Sequence, residues 1–340
     1  MSWQRVRGHE RLVDAFDRVV RRGRLGHAYL FAGPPGVGKR LFAEELARAL
    51  LCESPARTRL EACDLCPACR QVAAGTHPDL FIAGKPEESL ELPIDVMRDL
   101  CRSFSLKSAR DRGKVVILDD ADDLNEESAN CFLKTLEEPP PRSVLLLIGT
   151  SPDRQLATIR SRCQVVHFAP LADELVAELL RAQGVEDSAL IERLVRLSGG
   201  SPGRARALAD PALWEFRRQM LGQLSRSPVD TVGLARSWMR FVEEAGKEAA
   251  AQRQRAAQVL ELLIDFLSAA LSRSVGATPK LAEPEDLRAL EELVRRTEPN
   301  QLSSVLDRCL EAGMHIDRRV QLVLIVEALV DALGQRLRSA

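Results

Sequence analysis

Two apolar periods alternate along the first half of the chain, and one persists through the second. Short unbroken apolar runs recur at Ala28-Tyr29-Leu30-Phe31-Ala32, at Val115-Val116-Ile117-Leu118 and from Ser143 to Ile148. Runs of this length between turn-forming residues predict strands buried on both faces, as in a parallel sheet. Leu80-Phe81-Ile82 and Gln164 to Phe168 read as two more strands. Between the runs, apolar residues move to helical spacing. Leu12, Phe16 and Val19-Val20 share one face of a helix over 9–22, and Ile94, Met97, Leu100 and Cys101 share one over 91–104. A helix over 126–138 is stopped by Pro139-Pro140. Strands alternating with helices predict an α/β fold.

After Pro170 the strand signals end. Helices are expected over 173–183 and 188–198, and Gly199-Gly200-Ser201-Pro202-Gly203-Arg204 opens a third. From Pro211 onward only helices are expected, with breaks near Ser227-Pro228, over 277–284, at Pro299 and at Gly313. The chain thus divides into an α/β part, 1–170, a small helical part, 171–209, and an all-helical part, 210–340.

The link from the first strand to the helix over 41–51 is Gly33-Pro34-Pro35-Gly36-Val37-Gly38-Lys39-Arg40. It has the spacing of a P-loop, in which glycines let backbone N–H groups converge on a phosphate at a helix N-terminus and the lysine reaches the outer phosphate oxygens. The position that normally offers a Ser/Thr hydroxyl to Mg²⁺ holds Arg40, and a guanidinium has no lone pair for a metal. ATP or ADP binding is expected, and efficient hydrolysis is not. Val115 to Leu118 ends in Asp119-Asp120, a strand delivering carboxylates to its C-terminal edge. Asp119 is expected where Mg²⁺ would be held and Asp120 where a water-orienting acid is usual, while Thr150 or Ser151, ending the next strand, offers a hydroxyl near the γ-phosphate.

Cys52, Cys63, Cys66 and Cys69 form C-x10-C-x2-C-x2-C, half of the eight cysteines within eighteen residues. Such spacing suits one structural tetrahedral Zn²⁺. Disulfides, disfavoured in a cytosolic protein, and free thiols are the alternatives. Cys101, Cys131, Cys163 and Cys309 are dispersed and read as core thiols, and His77, before a proline, reads as a turn residue rather than a ligand. A net charge of −1 gives no general pull towards nucleic acid or membrane, and 4% aromatic content argues against a stacking platform for single strands. No apolar run reaches membrane-spanning length and the N-terminus lacks a signal peptide's apolar core, so a soluble, cytoplasmic protein is expected.

The P-loop and the acids at the end of the third strand, with a helical lid behind them, resemble an AAA+ module. Finer strings narrow the resemblance: His27-Ala28-Tyr29-Leu30-Phe31, the four-cysteine insert, Leu133-Lys134-Thr135-Leu136-Glu137-Glu138-Pro139-Pro140 and Ser161-Arg162-Cys163 are similar to bacterial clamp-loader subunits of DNA polymerase III. That family has an ATPase branch, γ/τ, and a seldom hydrolysing branch, δ′. Arg40 departs from the ATPase branch, as does Gly203 where γ-type chains place a phosphate-sensing Arg. Arg204 stands one residue on, about 100° around a helix. The absence of a polymerase-holding tail after Ala340 points the same way.

The resemblance implies a stator beside γ/τ and δ subunits, acting on a sliding clamp and primed DNA through the complex. It implies an all-helical collar over 210–340 and a lid over 171–209. It also implies that Arg162 serves as an arginine finger in a neighbour's ATP site, a plain strand-edge arginine being the alternative. No polymerase site is implied, so an enzyme label would come from holoenzyme membership only. The competing classes are a working γ/τ-like ATPase and a zinc-dependent DNA-binding module.

Overall fold

The computed structural model describes residues 2–54, 59–86, 89–110, 112–226, 228–277 and 286–337. The break expected at Ser227, most of that over 277–284, and residues 55–58 of the cysteine insert lie outside the described residues. The chain divides into two compact units, 1–186 with 198–204, and 187–197 with 205–340.

In the first unit the elements run α1 (Glu10–Arg21), β1 (Ala28–Ala32), α2 (Lys39–Leu51), α3 (Pro67–Ala73), β2 (Leu80–Ala83), α4 (Ile94–Ser105), β3 (Val115–Leu118), α5 (Glu126–Glu137), β4 (Val144–Gly149), α6 (Ala157–Arg160), β5 (Gln164–His167) and α7 (Asp173–Ala182). The five strands form one sheet in the order β2-β3-β4-β1-β5, with every pairing parallel. In register, Leu30 lies opposite Leu147 on one side and Val165 on the other. The three central strands are buried at every position, which is why they read as unbroken apolar runs and not as alternation.

Pleating sends alternate residues to the two faces. One face carries Leu30, Val116, Leu118, Leu145 and Leu147 against Met97 and Phe104 of α4 and Phe132 and Leu136 of α5. The other carries Phe31, whose ring lies 5.6 Å from Phe42 of α2, 6.0 Å from Phe16 of α1 and 5.0 Å from Phe168. Helix α5 begins where Asn125 accepts the Ser128 N–H at 2.9 Å and ends just ahead of the Pro139–Pro141 run. Helix α4 starts at Ile94 rather than Glu91, because Pro93 occupies the cap position with extended backbone. Helix α2 begins at Lys39, two residues ahead of the apolar spacing. Its start is set by the loop and not by burial.

Among the described residues the second unit contains only helices: α8 (Ser188–Ser198) apart from its last residue, the second half of α9 (Pro202–Ala207), α10 (Pro211–Leu224), α11 (Thr231–Glu243), α12 (Ala249–Ser274), α13 (Leu287–Arg296), α14 (Pro299–Asp317) and α15 (Leu322–Arg336). Trp238, Leu263, Val305 and Val330 are fully buried there, and Phe216 stacks on Phe241 at 4.6 Å. The break expected at Pro299 is the start of α14, with a capping box between Glu298 and Gln301. Gly313 does not break α14, where an added Cβ would meet nothing nearer than Leu260 at 3.6 Å. No helix among the described residues is long and apolar enough to cross a membrane.

Phe42 is the ring that joins Trp3, Phe16, Phe31 and Phe168 and is fully buried. Phe42→Ala is expected to cost about 3–5 kcal/mol, read as a lower urea midpoint for the first unit by circular dichroism. An unmoved midpoint would show that the ring does not carry that face of the sheet.

Candidate functional site

The parallel sheet brings the C-terminal ends of β1, β3 and β4 to one edge, where Gly33–Arg40, Asp119-Asp120 and Thr150 follow the strands. The loop's backbone needs its glycines. Gly36 and Gly38 have φ of +75° and +100°, and a Cβ on Gly33 would lie 2.2 Å from the Phe168 carbonyl oxygen. Lys39 opens α2 and is buried. Its Nζ donates to the Gly33 and Pro34 carbonyl oxygens at 2.6 and 2.7 Å, so the ammonium closes the loop on itself. Burial pushes the Lys39 ammonium below the usual lysine range, and the Asp119 and Asp122 carboxylates act against that.

Arg40 answers the question posed by its identity. Its Nη1 donates to Asp119 Oδ2 at 2.9 Å and its Nε to Glu44 Oε1 at 3.1 Å. The other Asp119 oxygen accepts the Asp120 N–H at 3.1 Å. Both oxygens of Asp119, the carboxylate expected at a Mg²⁺ position, are therefore already bonded, one of them to a permanent cation. Asp120, expected as a water-orienting acid, has left-handed backbone with φ +53° and accepts the Lys85 N–H at 3.4 Å. Desolvation first, then the Asp119 charge, raises its carboxyl above the ordinary range.

The sequence expects Thr150 or Ser151 to offer a hydroxyl near the γ-phosphate. Instead Thr150 Oγ1 donates to Asp122 Oδ2 at 2.5 Å, its N–H to the same oxygen at 2.7 Å, and Gln155 Nε2 holds Asp122 Oδ1 at 2.6 Å. The single hydroxyl proton is thus committed to Asp122 and cannot also point at an anion.

Two features around the loop have no sequence motif. His9 Nε2 bonds the Val37 carbonyl oxygen at 2.8 Å, so this nitrogen carries the proton, and the ring lies edge-on to Phe168. The second is the start of α9. Ser201 Oγ donates to Pro35 O at 2.8 Å and the Gly203 N–H to Gly36 O at 3.0 Å. A Cβ on Gly203 would lie 2.7 Å from Gly36 Cα. Arg204 is half-buried and its N–H is capped by Ser201 Oγ at 3.1 Å.

Arg162 follows α6 and precedes β5, at the opposite, N-terminal edge of the sheet. Its guanidinium forks onto Glu137 Oε1 through Nε, at 2.9 Å, and Nη2, while Nη1 donates to Thr158 O at 2.9 Å. The side chain stays 34% exposed.

In the insert the Cys52, Cys63, Cys66 and Cys69 sulfurs lie within 4.8 Å of one another. A tetrahedral Zn–S₄ site with bonds of about 2.3 Å needs sulfurs about 3.8 Å apart, and Cys63 and Cys69 are at 3.9 Å. The N–H groups of Cys63, Cys66 and Cys69 donate to the sulfurs of Cys52, Cys63 and Cys66 at 3.3–3.4 Å, a ladder that favours thiolates. For Cys52, burial raises the thiol, but N–H donors from Ser54 and Cys63 outweigh it and bring it to about 6. The short helix α3, with Cys66 at its cap and Cys69 in its first turn, sets the last two ligand positions.

The α/β part, residues 8–172, matches the family described as DNA polymerase III, delta subunit. The chain is 42% identical to the DNA polymerase III subunit delta′ of Pseudomonas aeruginosa, over 64% of this chain and 67% of that protein. It is 32% identical to the delta′ subunit of Escherichia coli over 88% of this chain and 87% of that one. The tau subunit of Salmonella typhimurium is 30% identical over 87% of this chain but only 48% of its own length. Among solved structures, a DNA polymerase III gamma subunit-related protein of Thermotoga maritima superimposes with a TM-score of 0.50 at 18% identity, covering 96% of this chain and 99% of that one, a likeness of fold. With the loop, its Arg40–Asp119 ion pair and these relatives all in view, the chain belongs to the delta′ family of bacterial DNA polymerase III subunits.

Proposed function

We propose that the chain is the stator of a bacterial clamp loader: it binds nucleotide without turning it over and lends Arg162 to the ATP site of a neighbouring γ/τ subunit. The observation that carries this reading is the Arg40–Asp119 ion pair. It neutralises the carboxylate that a hydrolysing AAA+ site needs for Mg²⁺, while leaving the phosphate loop built. Gly33 to Lys39 would cradle the phosphates of ATP or ADP, with Arg40 supplying the charge that Mg²⁺ supplies elsewhere, and Lys39 would exchange its carbonyl partners for phosphate oxygens.

In the same reading residues 1–170 are the nucleotide domain, 171–209 the lid and 210–340 a collar that joins γ/τ and δ subunits in a cytoplasmic complex acting on the sliding clamp and primed DNA. Arg162 is held by Glu137 and Thr158 in the free chain, an exposed pair that costs little to exchange. Released into a neighbour's site, it would neutralise charge building on phosphoryl oxygens, an effect of roughly 10³–10⁵ in rate at that one site. The four cysteines would hold one structural Zn²⁺ that pins the insert and does no chemistry.

Metal analysis of the purified chain should find about one zinc per molecule. Cys66→Ala should lose it and lower the melting temperature, and a metal-free chain of unchanged stability would remove the zinc site.

The isolated chain should bind ADP equally well with magnesium or with a chelator. Arg40→Thr frees Asp119, so Mg²⁺ should then tighten binding by roughly tenfold, about 1.4 kcal/mol, still without turnover. Robust wild-type ATPase activity abolished by Lys39→Ala would show a working γ/τ-like enzyme instead.

In reconstituted complexes Arg162→Ala should leave assembly intact and lower clamp- and DNA-stimulated ATP turnover. Arg162→Lys should restore little, because a point charge cannot fork across two phosphate oxygens. Unchanged turnover at matched assembly would reduce Arg162 to a strand-edge arginine.

A further inference from the structure

The last turns of the P-loop helix α2 hold the cysteine insert at two points. Cys52 is the residue that caps α2, so the helix itself places the first sulfur. Arg48, one turn earlier, reaches into the loop of the second: its Nη1 lies 3.1 Å from Oδ1 of Asp64, the residue after Cys63. The other arm of the same guanidinium, Nη2, pairs with Glu45. Glu45 is 2% exposed, and its second oxygen lies 3.3 Å from Arg5 Nη1. Burial pushes the Glu45 carboxyl up, and the Arg48 charge is the strongest influence against that. One guanidinium thus bridges a buried acid of α2 and an acid inside the ligand loop, which a forked cation can do and a point charge cannot.

Asp64 stands between Cys63 and Cys66 with φ +61°, in the left-handed region where glycine alone is unstrained. The conformation serves the sulfurs, because the Asp64 N–H donates to Cys69 Sγ while the carboxylate pairs with Arg48. The last two sulfurs come from a different element: Cys66 caps α3 and Cys69 lies in its first turn. α2 therefore holds Cys52 and the Cys63–Asp64 loop, and α3 holds Cys66 and Cys69. A metal among the four sulfurs would clasp the two helices together. Four thiolates around one Zn²⁺ also leave an excess of negative charge. Asp64 adds to that excess, and Arg48 supplies a cation against it.

We propose that Asp64 and Arg48 are the positioning pair of the four-cysteine site, tying the Cys63 loop to α2 so that metal binding steadies the P-loop helix. The candidate ligand set is the four sulfurs alone, so the pair acts from outside it. The inference rests on the reading that the cysteines hold a metal. It stands whether or not the chain binds nucleotide or lends Arg162 to a neighbour.

The test uses the full, reduced chain with and without zinc. Zinc affinity is read by competition with a chelator, and α2 by hydrogen exchange of its backbone amides. In the wild type, zinc should slow exchange in the last two turns of α2. Asp64→Asn keeps the N–H to Cys69 and a residue type that tolerates the left-handed turn, but removes the charge that Arg48 holds. It should weaken zinc binding by roughly tenfold and uncouple α2 exchange from the metal. Asp64→Gly separates charge from backbone. Were the turn needed only for its backbone shape, glycine at φ +61° would bind zinc as well as aspartate or better. The positioning pair requires a loss at least as large as in Asp64→Asn. Arg48→Lys should fall between wild type and Asp64→Asn, since one ammonium cannot hold Glu45 and Asp64 in the same fork. Wild-type or tighter zinc binding in either Asp64 variant would overturn the tie and leave the metal site standing, as would α2 exchange that ignores zinc in the wild type. A wild-type chain that takes up no zinc would remove the metal reading, and this inference with it.

Discussion

In a sheet whose strands all run the same way, every strand begins at one edge and ends at the other, and the two edges cannot be alike. The placement of the loop, the acids and Arg162 follows from that polarity. The C-terminal edge collects the loop after β1, the acids after β3 and the threonine after β4, which converge because β1, β4 and β3 are adjacent. The N-terminal edge collects what precedes the strands: Arg162 ahead of β5, and the turns around Ser143 and His27 ahead of β4 and β1. The proposed reading, with one edge for the chain's own nucleotide and the other for a neighbour's, would use both sides of this layout.

At the C-terminal edge, electrostatics decides what the site can do. Aspartates gathered behind a phosphate loop repel one another and any phosphate brought near, and an active AAA+ site resolves this with Mg²⁺. Here the resolution is covalently built in. Arg40 comes from the same helix turn as Lys39 and reaches Asp119 at 2.9 Å. A magnesium ion can exchange with solvent and reposition as charge moves during hydrolysis. A guanidinium tethered to α2 and bonded to both Glu44 and Asp119 cannot. In the proposed reading, a chain that keeps its loop while fixing its cation has a site suited to being filled, not to turning over.

Much of this was legible in the residues. The three central strands are buried on both faces, so their apolar runs give their extents almost to the residue, and the cysteine spacing anticipates four sulfurs within 4.8 Å of one another. What was not legible depends on pairs distant in sequence. Nothing in residues 9 or 37 alone announces that His9 supports the Val37 carbonyl, and nothing near Thr150 says that its proton belongs to Asp122. The short helices α3 and α6, at seven and four residues, hold too few turns to display a period. The identity of Arg40 could be read as a loss, but only the structure supplies its partner, seventy-nine residues away.

Gly203 shows how a missing side chain can be a positive feature. On sequence it reads as the loss of a phosphate-sensing arginine, with Arg204 displaced around the helix. In the structure the same position lets the start of α9 lie on the P-loop, backbone against backbone, with the Gly203 N–H donating to Gly36 O at 3.0 Å and Ser201 Oγ to Pro35 O. Any side chain at 203 would need space that Gly36 Cα already occupies. Restoring the arginine at 203 would therefore not restore a sensor, because its Cβ would first have to lift the lid segment off the loop. In the proposed reading Arg40 and Gly203 thus act together, each setting a fixed contact where a hydrolysing site would need a cation or a sensor that changes partners.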